Sequence, residues 1–465
     1  MTVDLPPTSE LAYSSSWKYL RPQVIIWSGV VFVGISIVAL LVVPQLLLDH
    51  YLRNVNVDEA SLRLAIGSTT QVVLFSLGGF IALVGVVLSL SRHRLELDTS
   101  QRDRLKEDRR VSELVQQRRI DAERELRTRF TQAVALLSDP DKPTTRQAGV
   151  YALGALADDW INHGRLDERQ VCIDVICGYL RSRWDPKADN ADDERRIRTA
   201  AFELIGGHLR FDSDQPSWDG AVFNISGAFI DFNVNFSKMA LATGRISLEH
   251  ATIAGGTSDF REARLYGGTV SFIGAKLSGG TIVFNDSRLS GGLVDFGAVE
   301  LSGGEVQFFG AKLSGGTVSF FSATLTGGAI EFSAATLSGG TISFNDATLS
   351  KGDINFHGAT LSGSAVDFSY VTLSGGKVQF FGATLSAGMV DFSYSELLGG
   401  TVHYQGAMLS GGAVDFTYAK LLRGTVYFKN TTLSGSKIDF SEAEFSGGTV
   451  EINGQTFRDH PVVLP

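Results

Sequence analysis

At 465 residues the chain is long enough for about three ordinary domains, and its 44% hydrophobic and 20% charged residues suit a folded protein. A formal charge of -9 argues against nucleic acid as a partner. The only two cysteines, Cys172 and Cys177, exclude a disulfide framework, favour a reducing compartment and, with no partner pair, make a poor metal site.

In chain order, an N-terminal tail (1–22) precedes the run Val24 to Leu48, which carries no charge. As a helix this run would reach about 37 Å, enough for the hydrocarbon core, so a transmembrane helix is expected over 23–48. A short external loop (49–64) leads to a second uncharged run, Leu64 to Ser91, closed by Arg92, His93 and Arg94, which predicts a second span over 65–91. A cleaved signal peptide fits less well, because the first run is long and a second follows it. Lys18 and Arg21 precede the first run, while Arg92, Arg94, Arg102 and Arg104 follow the second; the loop between offers Arg53 and Arg63. The rule that positive flanks stay inside then predicts a multi-pass inner-membrane protein, with the lipid bilayer as a partner and both termini in the cytoplasm.

From Arg92 to Leu137 there is no proline or glycine, and charged residues dominate around Leu105, Val111, Leu114, Val115 and Ile120. This predicts a charged helical stalk over 92–128, solvated or pairing with a second copy as a short coiled coil. A small helical domain is expected over 129–220, armadillo-like or HEAT-like. It is broken by Pro140 and Pro143, with Thr144 and Gln147 spaced as a capping box. Its apolar stripes are Val150, Leu153, Leu156 and Ala157, then Val175, Ile176, Tyr179 and Leu180, then Ile197, Ala201, Leu204 and Ile205.

Over 221–457 an aromatic recurs every 12 residues: Phe272, Phe284, Phe296, Phe308, Phe320, Phe332, Phe344, Phe356, Phe368, Phe380, Phe392, Tyr404, Phe416, Phe428 and Phe440. Val or Ile stands two before each and Leu five after nearly all, in the pattern A-x-L-S-G-G-x-V-x-F-x-x. Inward residues two apart are strand spacing, so short strands joined by turns are predicted, with Gly pairs such as Gly303-Gly304 and Gly315-Gly316 supplying unusual backbone angles. One repeat is too short to enclose a core, whereas two close a four-sided coil of about 24 residues. Asp367, Asp391, Asp415 and Asp439 recur at that interval, as do Tyr370, Tyr394 and Tyr418; before Phe368 the alternation is weaker. About nine coils would make a rod ~43 Å long. A short tail (458–465) follows.

The repeats resemble bacterial pentapeptide-repeat proteins, in a variant carrying L-S-G-G-T-V-x-F. Arg129-Phe130-Thr131-Gln132-Ala133-Val134, Gly149-Val150-Tyr151-Ala152-Leu153 and Cys172-Ile173-Asp174-Val175 look like the region preceding such repeats in membrane-bound members. The resemblance implies a two-span helical hairpin, a small all-α domain and an all-β right-handed quadrilateral β-helix, with no agreed activity. The 12-residue period departs from the family's strict five.

No metalloprotease, phosphate-loop, Cys-x-x-Cys or nucleophile-elbow motif occurs, so no catalytic, cofactor-binding or metal residue is assigned and no cofactor is expected. His357 and His403 read as surface decoration. The expected function is a non-enzymatic, membrane-anchored scaffold for an unknown protein partner, with a possible homo-oligomer through stalk or membrane helices. The Asp and Tyr ladders are its candidate surface. Alternatives are a DNA-mimic inhibitor of a DNA-handling enzyme or, with reversed topology, an extracellular adhesin.

Overall fold

The computed structural model describes residues 22–52 and 59–458; most of the N-terminal tail with Lys18 and Arg21, the loop centre 53–58 with Arg53, and 459–465 lie outside the described residues. The chain divides into two units, Met1–Ile120 and Asp121–Pro465.

The first unit contains α1 (Pro22–Leu52) and most of α2 (Glu59–Leu137). Among the described residues one helix is long and apolar enough to cross a membrane, Trp27–Leu46 within α1. The two-span hairpin is thereby corrected to one candidate span. Absence of charge is not apolarity: Gly67, Ser68, Gln71, Gly78 and Gly79 dilute the second run. The apolar segment left there, Gly78–Leu90, reaches only about 20 Å against a ~30 Å hydrocarbon core. The multi-pass localisation falls with it, and so does the cytoplasmic placement of both termini and the solenoid, which required two crossings. The stalk is part of α2, and Leu105, Val111, Leu114 and Val115 lie exposed along it.

In the second unit, α3 (Pro143–Asn162), α4 (Leu166–Arg181) and α5 (Ala191–Leu209) bury most of the expected stripes, Val175, Tyr179 and Leu204 only partly, with Leu126, Ala133 and Leu137 of α2 joining them. The capping box does not form. Lys142 is the N-cap of α3 and makes no side-chain cap, while Pro143 opens the helix, its fixed φ already helical. A buried polar network ties the three helices together. Glu194 accepts from Arg198 Nε (2.8 Å), from Arg146 (2.7 Å) and from the Tyr179 hydroxyl (2.8 Å), and Arg198 also donates to the Leu180 carbonyl. Cys172 and Cys177 are buried free thiols, each pushed up to about 12, chiefly by burial.

The repeats form a quadrilateral β-solenoid. Face 1 is a parallel sheet of strands from Val222–Asn224 to Lys437–Asp439; face 2 runs from Phe229–Ile230 to Glu444–Phe445. Face 3 runs from Val234–Asn235 to Thr449–Ile452, and face 4 from Ala240–Leu241 to Thr432–Leu433. Each strand pairs with the one a coil later, as in Lys276↔Glu300, Thr281↔Glu305, Arg288↔Lys312 and Leu293↔Thr317. That offset of 24 also holds before Phe368, where the Asp ladder is irregular; Val222↔Arg245 in the first coil is one residue shorter.

Every residue of the 12-residue aromatic ladder is buried, and the ladder splits into two columns. Phe272, Phe296 and Phe320 stack at 4.8 Å with rings 4° apart, and Phe284, Phe308 and Phe332 at 4.9–5.0 Å. The columns meet edge-on, as in Phe320 against Phe332 at 6.4 Å. This ring spacing is the strand spacing, so ladder hydrogen bonds and ring stacking are satisfied together.

The corner glycines have a second cause beside the expected one, for Gly328, Gly340 and Gly352 do take positive φ and others do not. Gly303, Gly304, Gly315 and Gly316 do not have positive φ. A Cβ on Gly304 would stand 2.7 Å from Leu277 Cβ, and one on Gly303 2.8 Å from the Ser278 carbonyl oxygen, so close approach of coils selects glycine there. Positive φ also occurs two residues after each Phe, in a turn closed by bonds such as Ala275 N–H to the Phe272 carbonyl.

Both ends of the stack are covered. Phe202 of α5 meets Phe236, the first ring of its column, edge-on at 5.9 Å, and Trp184 packs on Phe229. At the other end Thr449–Ile452 and Gln455–Phe457 pair antiparallel across Asn453-Gly454, both at positive φ, the usual chemistry of a two-residue hairpin turn.

Candidate interaction surface

The Asp and Tyr ladders turn out to be parts of one turn. The sequences Asp367-Phe368-Ser369-Tyr370, Asp391-Phe392-Ser393-Tyr394 and Asp415-Phe416-Thr417-Tyr418 each leave face 1 at the same corner. The Asp stands outward between the inward Val and Phe, and its Oδ1 accepts the backbone N–H two residues on: Ser369 at 2.9 Å, Ser393 at 2.8 Å and Thr417 at 2.8 Å. The Ser369 and Thr417 hydroxyls donate to the same oxygens. These bonds hold the turn whose third residue is the tyrosine.

Tyr370, Tyr394 and Tyr418 have φ of 60°, 56° and 60°. A side chain in this left-handed region costs about 1–2 kcal/mol. The equivalent position in other coils holds His250, Gly274, Ala298, Ser322, Asp346 and Glu442, all at positive φ, so the turn imposes the angle whatever side chain stands there. The three rings are about half exposed and stack at 5.1 and 5.0 Å, so their faces cover one another and a row of ring edges and hydroxyls faces outward. Beside them the four aspartates are in register across neighbouring strands. Asp439 is pushed down to about 2, first by its bond from Lys437 and then by Ser441.

His403 stands on face 3 and His357 in the turn that follows an earlier face-3 strand, in two adjoining columns. Phe381 lies 6.4 Å from His357 and 5.5 Å from His403, and His403 stacks on Tyr427 at 4.6 Å. The sequence signal was available: Phe381 is one coil after His357, and Tyr427 one coil after His403. Burial, then Lys377, lowers the pKa of His403. Among the described residues no group of three or more His, Cys, Asp or Glu is placed to hold a metal ion. Compared with protein-family models, with curated proteins and with solved structures, the chain matches none of them.

Proposed function

We propose that this protein is a non-enzymatic scaffold, anchored to a lipid bilayer by Trp27–Leu46, whose solenoid holds a protein partner on the Asp367–Tyr418 corner of face 1. The four-sided coil and the apolar N-terminal helix support reading it as a pentapeptide-repeat-like protein, with coils built of two 12-residue repeats. The observation that carries the scaffold reading is the tyrosine stack: three consecutive coils keep a bulky aromatic, half exposed, at an angle that favours glycine. The angle itself belongs to the corner turn of every coil, as at Ala298, Ser322 and Glu442; what sets these three corners apart is the exposed aromatic stack. The carboxylate column beside the rings would meet Lys or Arg of the partner, and the tyrosines supply rigid contact area at low entropic cost.

The test is a triple substitution, Tyr370→Asn, Tyr394→Asn and Tyr418→Asn, in the full chain expressed in its host, since asparagine bears the left-handed angle. Proximity labelling from the C-terminus is compared between this variant and the parent at matched abundance. Loss of a discrete set of labelled proteins is expected, with coil amide protection unchanged. An identical labelled set would overturn the assignment of this corner.

A further inference from the structure

The outward residue of the two-residue strands occupies the same repeat position on faces 2 and 4, yet the two faces treat charge oppositely. On face 2 opposite charges are stacked on neighbouring coils: Lys276 pairs with Glu300 at 3.1 Å and Lys420 with Glu396 at 3.0 Å. On face 4 the register places Arg264, Arg288 and Lys312 directly over one another, one strand spacing of ~4.8 Å apart. Like charges opposed across neighbouring strands destabilise a sheet, and the solution used on face 2 is absent.

These three cations line a groove of about 430 Å³, together with the hydroxyls of Ser290, Ser314 and Ser338, the exposed ring of Tyr266 and Thr336. No acidic residue lines it. The nearest carboxylates in sequence, Glu262 and Asp286, sit at the positive-φ corner turns instead. One end is preorganised, because the Arg264 guanidinium carbon lies 3.5 Å from the centre of the Phe211 ring, a cation–π contact that limits its freedom. Arg288 and Lys312 are exposed.

We infer that the Arg264–Arg288–Lys312 column is a binding site for a soluble oligophosphate, a short chain of phosphoryl groups lying along the solenoid axis. Charge density decides between anions. Carboxylates on one side of an extended peptide stand about 6.7 Å apart, wider than the cations, whereas linked phosphoryl groups put several charges within one strand spacing. Each phosphoryl oxygen accepts hydrogen bonds, and the hydroxyls of Ser314 and Ser338 line the groove with the arginine and lysine heads as further donors, while that of Ser290 donates to the Leu265 carbonyl. The inference is independent of the tyrosine corner, which lies on another face and in later coils.

The full chain in detergent micelles is titrated calorimetrically with inorganic tripolyphosphate. Saturable binding is expected, roughly tenfold weaker in the double variant Arg288→Gln/Lys312→Gln and weakening as salt rises. The face-2 variant Lys276→Gln should bind as the parent does. Amide exchange over residues 260–340 checks that the coils of each variant are intact, and Lys312→Gln alone is the milder alternative should the double variant loosen them. Absence of saturable binding to the parent overturns the site, as does equal binding by parent and double variant. Tighter binding of a deca-glutamate peptide, or of vesicles containing phosphatidylserine, than of tripolyphosphate also overturns it, in favour of an acidic protein or a membrane surface.

Discussion

The helical cap and the solenoid share one unit but are stabilised by opposite means. The cap concentrates its specificity in one largely buried set, in which Arg198, Arg146 and Tyr179 all donate to the Glu194 carboxylate. The solenoid repeats a single apolar contact in two ring columns, so each coil depends on its immediate neighbours. A substitution in the cap should therefore be felt throughout the cap, and one in a column only nearby.

The largest expected effect is on the columns. Phe320 touches Phe296 and Phe344 face-on and Phe332 edge-on, and Phe320→Ala should cost about 3–5 kcal/mol through lost burial and the cavity left behind. Hydrogen exchange should show that loss in the adjoining coils, with α3–α5 unchanged. Loss of protection across the whole unit would mean that cap and rod unfold together.

Breaking the cap network comes next. Burial alone would raise the Glu194 carboxyl, but its bonds from Tyr179 and Arg146 and the nearby Arg198 hold it below the ordinary value. Glu194→Ala leaves Arg198 buried without its carboxylate and should destabilise the cap by about 3 kcal/mol. Because Phe202 covers Phe236, protection should also fall in the first coils and remain at Phe428 and beyond. Chemical denaturation with exchange readout checks both parts.

A smaller effect of opposite sign should come from the one irregular rung. Tyr404 occupies a phenylalanine slot between Phe380 and Phe428. Its hydroxyl is buried without a hydrogen-bond partner, and burial drives its pKa well up. Tyr404→Phe should stabilise the rod by about 1–2 kcal/mol, the usual range for an unmet buried polar group. A thermal midpoint that does not rise would show that the hydroxyl is accommodated.

Much of the solenoid was legible because each inward residue repeats the same environment. The 12-residue period, the inward Phe, Val and Leu, and the 24-residue coil all follow from strand alternation, and the Asp and Tyr intervals named the corner at which the exposed stack stands. What escaped needed knowledge of which parts meet. The Arg146–Glu194–Arg198 set unites residues from two helices that only packing brings together. The role of Gly304 depends on Leu277 in the preceding coil, whereas a glycine pair read along the chain suggests only a turn. The second span was misjudged for a different reason, since uncharged Ser68 and Gln71 passed a test that asked only about charge.

The smallest effects separate two carboxylates that occupy the same kind of outward strand position. Asp439, depressed to about 2 mainly by Lys437, contributes stability that is present above its unfolded value of ~3.9 and is lost as pH falls through about 2. Glu331 on face 3 is raised, first by burial, and Glu305 and Asp353 add to the shift. What Glu331 contributes is present in its protonated form below ~4.3 and is lost as pH rises through its folded value, because there the native state holds the extra proton. Asp439→Asn should therefore weaken the last coils at neutral pH and remove their acid-sensitive step. Glu331→Gln should strengthen the middle coils slightly at neutral pH and leave no difference near pH 3. Exchange measured at both pH values reads the two regions in one experiment. If both variants shift stability in the same direction at neutral pH, the local partners named here do not set these carboxylates apart.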